Sequence, residues 1–202
     1  TRPASPQSPY VGTTVEEILI AGYTTSSNMP LQEPFQSTMG VNEAFVARLD
    51  HGACQLKWSS YYGTTGSSEY AYGVCSDGLE RSIIVGRAEY TGLTLRSSTM
   101  GWQNGADGFV AVFDESCGRF PTFFGGTKDE HAEDVAVDNS GNIYITGWTK
   151  SSNLPATVGA HQTSLSGTQD AFVAKFDAMG NRVWATYYGG SSDETGTGIT
   201  TD

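Results

Sequence analysis

Short apolar runs with a two-residue period recur along the chain, separated by residues that favour turns. In the clearest stretch these runs are DVAVD (134–138), NIYITGWT (142–149), DAFVAKFD (170–177) and RVWATYYGG (182–190). Each run has the alternation and length of a β-strand, and none has the 3.6-residue period of a helix. Residues 139–141 and 178–181 contain glycine with Asn or Ser, which predicts tight turns. The pattern therefore predicts a four-stranded antiparallel meander.

The same pattern returns three times at a step of about 63 residues. Each copy has a glycine after an apolar run, then a Phe-Val-Ala core, then an aromatic pair followed by glycine. In chain order these landmarks are Gly22, Gly86 and Gly147; Phe45, Phe109 and Phe172; and Tyr61-Tyr62, Phe123-Phe124 and Tyr187-Tyr188. A fixed repeat of this kind predicts an array of supersecondary units that share one core.

Four antiparallel strands per repeat make the blade of a β-propeller. The string DNSGNIYITGWTKSSNLP, followed by DAFVAKFD and WATYYGG, resembles the bacterial-type β-propeller repeat often called SBBP. The match is strongest over 134–190, good over 17–63 and weaker over 70–125. The resemblance implies propeller blades that serve as scaffolds in secreted or surface proteins, with no shared catalytic residues.

We therefore expect an all-β fold, an array of three four-stranded antiparallel propeller-like blades plus one extra C-terminal strand. The expected segments are an extended Pro-rich lead at 1–14, blades at 15–69, 70–131 and 132–195, and a donor strand at 196–202. Residues 198–202 align with the first strand of the third repeat. The first repeat lacks a good match to that strand, so it could begin with its second strand.

Three blades are too few for an ordinary ring, because propellers have about four to eight. The last strand would then pair with another subunit, and head-to-tail pairing gives a ring or a filament. The predicted assembly interface is Gly198, Ile199, Thr200, Thr201 and Asp202 on one side, and Ile18, Leu19, Ile20 and Tyr23 on the other. Two alternatives remain open, a boundary inside a larger propeller and a stack that does not close.

The chain has 202 residues and a formal net charge of −11, with 38% hydrophobic residues and 25 glycines. This composition suits a turn-rich β protein and argues against disorder. The negative charge argues against nucleic acid and anionic membranes as partners. No apolar run is long enough to span a bilayer, so we expect no membrane insertion. We expect an extracellular or surface location.

The candidate chemistry of the chain is sparse. Its histidines form no catalytic constellation, so we expect no enzyme activity, no cofactor and no metal site. Acidic residues gather before each first strand, namely Glu69, Asp129, Glu130, Glu133, Asp134, Asp193 and Glu194, and are interpreted as solvated loops, with a cation site as the weaker alternative. Trp102 is a candidate ligand-binding aromatic, with glycans as one ligand class. Cys75 and Cys117 are a candidate disulfide; idle thiols are an equal alternative.

Two functions follow from these observations. The first is a structural subunit that associates head-to-tail through strand donation. The second is a propeller binding module for carbohydrate or protein, either complete or part of a larger propeller. An enzyme is a third, weaker interpretation.

Overall fold

A computed structural model describes residues 17–52, 55–77, 81–89, 105–114 and 119–202. These residues form eleven strands and no helix. The strands are β1 (Glu17–Thr24), β2 (Glu43–Asp50), β3 (Leu56–Tyr62), β4 (Glu69–Ser76), β5 (Ser82–Ala88), β6 (Asp107–Phe113), β7 (Arg119–Phe124), β8 (Glu130–Val137), β9 (Ile143–Thr149), β10 (Asp170–Phe176) and β11 (Arg182–Tyr188). The predicted all-β fold is confirmed over this part of the chain.

The strands form three antiparallel sheets in which chain neighbours are sheet neighbours. Sheet 1 contains β1 to β3, sheet 2 contains β4 to β7, and sheet 3 contains β8 to β11. The predicted four-stranded meander is confirmed for sheets 2 and 3. Sheet 1 has three strands among the described residues, which correspond to strands two to four of the other sheets. The predicted extended lead at 1–14 lies outside the described residues.

Aspartate side chains close the tight turns of sheet 3, as their local sequence predicts. The carboxylate of Asp138 accepts hydrogen bonds from the backbone amides of Ser140 and Asn142, each at 2.9 Å. The carboxylate of Asp177 caps the other turn, where it accepts from the amide of Asn181 at 2.9 Å. Gly141 completes the first turn with a φ of 77°, a conformation that costs glycine little. These aspartates therefore stabilise turns.

Sheet 2 lies between the other two sheets and is covered on both faces. We call the face that packs on the next sheet in the chain the forward face, and the opposite one the rear face. The rear face of sheet 2 packs on sheet 1 around Phe109 and Phe113. Its forward face packs on sheet 3 around Val110 and Phe124. Because adjacent residues of a strand point to opposite faces, every residue of β6 is buried.

The two residues of the aromatic pair at the end of each sheet point to opposite faces of that sheet. The hydroxyl of Tyr61 donates to the carbonyl oxygen of Ser26 at 2.6 Å and accepts from the amide of Met29 at 3.1 Å. In sheet 3 the hydroxyl of Tyr187 donates to Ser151 at 2.8 Å in the same manner. In sheets 1 and 3 the first aromatic of the pair therefore anchors the long loop over the rear face, and the second points forward.

The segment after sheet 3 starts like the first strand of another blade but does not form one. The amide of Ile199 donates to the carboxylate of Asp134 at 2.9 Å, and the hydroxyl of Thr201 donates to the carbonyl oxygen of Val137 at 3.0 Å. The tail therefore lies against β8 on the forward face of sheet 3. Residues 196–202 are not paired in a strand within this chain, and the donation of this segment to another copy stays a prediction.

Candidate functional site

A repeated aromatic contact holds consecutive sheets together. The ring of Tyr62 on sheet 1 lies 5.4 Å from those of Phe109 and Phe113 on sheet 2. One repeat later, the ring of Phe124 lies 5.0 Å from that of Phe172 and 6.0 Å from that of Phe176. These are centroid distances typical of favourable aromatic pairs. The second aromatic of each pair is thus a plug that fills a slot on the rear face of the next sheet.

The third plug, Tyr188, has no slot in this chain. Its side chain is 62% exposed, whereas Tyr62 is 5% exposed and Phe124 is fully buried. The ring contact described for it is with His161, a stack with a centroid distance of 5.7 Å. The forward face of sheet 3 therefore ends in an exposed aromatic at the position where the other two sheets make their main contact.

The rear face of sheet 1 has the opposite property, a slot without a plug. Ile18 and Ile20 are 46% and 42% exposed, although their counterparts in sheet 3, Ile143 and Ile145, are fully buried. By the same correspondence, the slot residues that match Phe172 and Phe176 are Phe45 and Leu49, and both are only partly buried. The two ends of the array thus carry the two halves of the contact that joins its sheets.

The structure separates the residues that the sequence assigned to an assembly interface. Residues 198–202 lie on sheet 3, while β1 lies in sheet 1, on the far side of sheet 2. Leu19 is partly buried, and alternation along β1 points it forward, away from Ile18 and Ile20. Tyr23 is 56% exposed, and its ring makes an edge-to-face contact with that of Tyr70 on β4 at 4.9 Å. Tyr23 therefore contacts its own chain.

The remaining predicted site residues are not brought together. Trp102 and Cys117 lie outside the described residues. Cys75 is a free thiol on β4, packed against the core between sheets 2 and 3, so it does not form the predicted disulfide in this structure. Burial, reinforced by Asp134 and Asp77, raises the pKa of this thiol to about 12. The disulfide in an oxidising compartment stays a prediction.

Each junction between blades holds a pair of carboxylates that sequence analysis missed. In each pair, one carboxylate belongs to the first residue of β2, β6 or β10. The other lies at the start of β4, at the start of β8, or in the segment that follows β11. The pairs are Glu43 with Glu69, Asp107 with Glu130, and Asp170 with Glu194. All but Glu194 are buried, so the interpretation of the acidic loops as solvated is wrong for Glu69 and Glu130. The available signal was an acidic residue at the same place in every repeat.

A glycine brings the two carboxylates of each pair close together. A Cβ at Gly189 would lie 2.6 Å from Asp170 Oδ1 and 2.7 Å from Glu194 Oε2. Gly63 and Gly125 stand at the equivalent places, and a Cβ there would also overlap both carboxylates of its pair. This close approach explains why the residue after each aromatic pair is glycine.

The first pair is held by uncharged donors. Glu43 Oε1 accepts from the amide of Gly40 at 2.6 Å, and Glu69 Oε2 accepts from the amide of Thr64 at 3.1 Å. The hydroxyl of Ser67 donates to Glu69 Oε1. Glu43 Oε2 has no hydrogen-bond partner, although the side chain is fully buried.

The third pair repeats this arrangement. Asp170 Oδ2 accepts from Gln162 Nε2 at 2.7 Å and from the amide of Ser166 at 2.9 Å, while its buried Oδ1 has no partner. Glu194 Oε2 accepts from the amide of Gly190 at 2.8 Å.

The middle junction has a similar donor set. Glu130 Oε2 accepts from the amide of Gly126 at 2.7 Å, and its Oε1 accepts from the hydroxyl of Thr149 at 2.5 Å. In the first and third pairs, and at Glu130, the carboxylate oxygens therefore accept from uncharged donors.

Burial raises the pKa of three of these carboxyl groups, those of Glu43, Glu69 and Glu130. It raises the pKa of Glu43 to about 7, with a further contribution from the charge of Glu69. Burial likewise raises the pKa of Glu69 and of Glu130, against the lowering effect of their hydrogen bonds. The first pair therefore favours a state in which its negative charge is neutralised. No group of three or more His, Cys, Asp or Glu side chains suited to a metal occurs in the described part of the chain.

Four-stranded meanders packed face to face are the arrangement of β-propeller blades. The three described sheets pack in this way without closing into a ring. In agreement, residues 126–155 match the family model of the SBBP beta-propeller repeat. The predicted resemblance is confirmed for this repeat, which is of a type suited to a binding or structural domain. No curated protein matches the chain. No helix of the described residues is long and apolar enough to cross a membrane.

Proposed function

We propose that the protein is a non-enzymatic structural subunit of an extracellular or surface assembly, in which copies associate head-to-tail. The forward face of sheet 3 of one copy packs on the rear face of sheet 1 of the next. The observation that carries this proposal is the 62% exposed ring of Tyr188, whose two counterparts are plugs between sheets. In the assembly, Tyr188 of one copy fills the slot beside Phe45 and Leu49 of its neighbour.

The tail supplies the second part of the contact. In sheet 3, β8 pairs with β9 so that Val135 faces Ile145 and Val137 faces Ile143. Transferring this register to the tail places Ile199 opposite Ile20 and Thr201 opposite Ile18 of the neighbour. The three strands of sheet 1 then gain a fourth, and the exposed side chains of Ile18 and Ile20 become buried against sheet 3. Ladder hydrogen bonds supply affinity and the alternating side chains set the register.

Sedimentation velocity over a range of concentrations tests the proposal with two end variants. Tyr188→Glu blocks the forward end and Ile20→Glu blocks the rear end, because each places a charge in a desolvated contact. Each variant alone should be a monomer, whereas an equimolar mixture should form a dimer and nothing larger, because each partner keeps one intact end. Val158→Glu is the matched control, since Val158 is 98% exposed and lies outside both faces.

The wild type and Val158→Glu should form larger species as concentration rises. Deletion of 196–202 should weaken association, because it removes the ladder. A wild-type protein that stays monomeric at every concentration would overturn the proposal, as would variants that associate like the wild type.

The second candidate is a binding module for carbohydrate or protein. The stacked and exposed rings of His161 and Tyr188 favour it, because exposed aromatic faces suit sugar rings. It differs from the first in requiring a monomer that binds ligand, and Tyr188→Ala should then reduce binding on a glycan array. Trp102→Ala tests the candidate that sequence analysis named.

A further inference from the structure

The first and third blade junctions contain carboxylates whose hydrogen-bond donors, among the described residues, carry no charge. The donors to Glu43, Glu69, Asp170 and Glu194 are backbone amides, a hydroxyl and a side-chain amide, all uncharged. Three of these carboxylates, Glu43, Glu69 and Asp170, are fully buried. Burial of an ionised carboxylate without a counter-charge is costly, so a bound cation or proton is required.

The buried oxygens without partners point to where such a cation would lie. Glu43 Oε2 and Asp170 Oδ1 have no hydrogen-bond partner, and both lie against the junction glycine beside an oxygen of the second carboxylate. The two carboxylates come from different blades, since Glu43 begins β2 of sheet 1 and Glu69 begins β4 of sheet 2. A cation between them would therefore join consecutive blades.

The donor set fits a hard divalent cation. Calcium takes six to eight oxygen ligands at about 2.3–2.6 Å in flexible geometry, including carboxylates, backbone carbonyls and water. The carbonyl oxygen of Thr64 lies close to the carboxylate of Glu43. This follows because a Cβ placed on Gly40 would lie 2.6 Å from Thr64 O and 3.0 Å from Glu43 Oε1. No nitrogen or sulfur ligand stands in either pair, which disfavours zinc and copper.

We propose that the blade junctions bind calcium, with Glu43 and Glu69 as ligands at the first junction and Asp170 and Glu194 at the third. The middle junction, with Asp107 and Glu130, stands at the equivalent place in the repeat. Calcium neutralises the paired carboxylates and ties the first strand of one blade to the preceding blade. The cation therefore stabilises the stack of blades, independently of any contact between copies.

Isothermal titration calorimetry of chelator-treated protein with Ca²⁺ tests this proposal, with Mg²⁺ titrated as the comparison ion. The experiment uses the Ile20→Glu protein, which keeps the junction acids and adds no charge next to a junction glycine, so that binding is measured apart from self-association. We expect Ca²⁺ to bind with a stoichiometry above one, to raise the melting temperature by several degrees, and to bind at least tenfold more tightly than Mg²⁺.

Two variants assign the sites. Glu43→Gln and Asp170→Asn each keep the shape of the side chain but remove its charge, and each should lower the stoichiometry by one. Without calcium these variants should melt no lower than the parent, because they remove a buried charge; this result shows that they are folded. Glu33→Gln, at an exposed position, is the charge-matched control and should bind Ca²⁺ as the parent does.

The absence of binding heat and of a melting shift at millimolar Ca²⁺ would overturn the proposal. Unchanged stoichiometry in both variants would also overturn it. Neither result depends on whether copies associate, so failure here is distinct from failure of head-to-tail assembly.

Discussion

The backbone amide of Glu194 donates to the carbonyl oxygen of Gln169 at 3.1 Å, as the amide of Glu130 donates to Ala106 at 2.7 Å one repeat earlier. The bond formed by Glu130 starts β8 and directs it across sheet 2. The equivalent bond therefore directs the tail across sheet 3 as an additional first strand. Hydrogen bonds within the single chain thus hold the tail in position, although no strand of that chain pairs with it.

A plug residue should stabilise the folded monomer only where the slot that receives it belongs to the same chain. Phe124→Ala should lower the free energy of unfolding by about 3–5 kcal/mol, because it leaves a cavity between sheets 2 and 3. Tyr188→Ala should change the stability of the monomer by less than about 0.5 kcal/mol, since that ring is exposed. Urea unfolding measures both. Equal losses would contradict the assignment of Tyr188 as an unfilled plug.

The landmark glycine of each second strand should not tolerate a side chain. A Cβ at Gly147 would overlap the backbone carbonyl of His131, which cannot move without breaking the β8–β9 ladder. Gly147→Ala should therefore destabilise the fold by about 2 kcal/mol or more. At Gly190 the nearest atom to a Cβ is Glu194 Oε1 at 3.7 Å, an ordinary contact. Gly190→Ala is the control, and thermal melting that ranks the two equally would contradict this account.

The thiol of Cys75 should react slowly in the folded protein. Its pKa is raised to about 12, so very little thiolate exists at pH 8, and the side chain packs against the core. Iodoacetamide labelling followed by peptide mass spectrometry should find Cys75 protected in native buffer and modified in denaturant. Protection in denaturant without reductant, with a Cys75–Cys117 linked peptide, would establish the disulfide instead.

Stability should depend on pH through His131. Its ring lies between those of Tyr72 and Trp148, beside Arg87 and Glu133. Burial, aided by the charge of Arg87, lowers its pKa to about 4. Between pH 4 and about 6.5 the unfolded chain binds a proton at His131 that the folded protein does not bind. The free energy of unfolding therefore keeps its full value above this window, as far as His131 is concerned, and decreases as the pH falls through it.

His131→Phe isolates this contribution from the carboxylates, whose raised pKa values act in the opposite direction. The difference in free energy of unfolding between wild type and His131→Phe should shift against the wild type as pH falls from 7 to 4. A difference that does not change with pH would show that His131 titrates normally in the folded protein.

Much of the fold was predictable because a repeated sequence gives the same information three times. Strand alternation in DAFVAKFD and the turns at Asp138 and Asp177 depend on local chemistry alone. The buried state of Glu43 and Glu69 was not predictable, because it arises where two sheets meet and an acidic residue at a strand end is normally solvated. The lack of a ladder partner for the tail within its own chain was predictable, because the repeat ends after its first strand, whereas the hydrogen bonds that hold the tail on β8 were not.

Cross-strand cysteine pairing between copies tests the central claim most directly, in a background with Cys54, Cys75 and Cys117 replaced by serine. In sheet 3, Ala136 faces Tyr144, so the tail register places Thr200 of one copy opposite Leu19 of the next. Mixing Thr200→Cys protein with Leu19→Cys protein under mild oxidation should yield a disulfide-linked dimer, whereas Thr200→Cys with Ala21→Cys, which is out of register, should not. Equal cross-linking of the two mixtures, or none in either, would contradict head-to-tail strand donation.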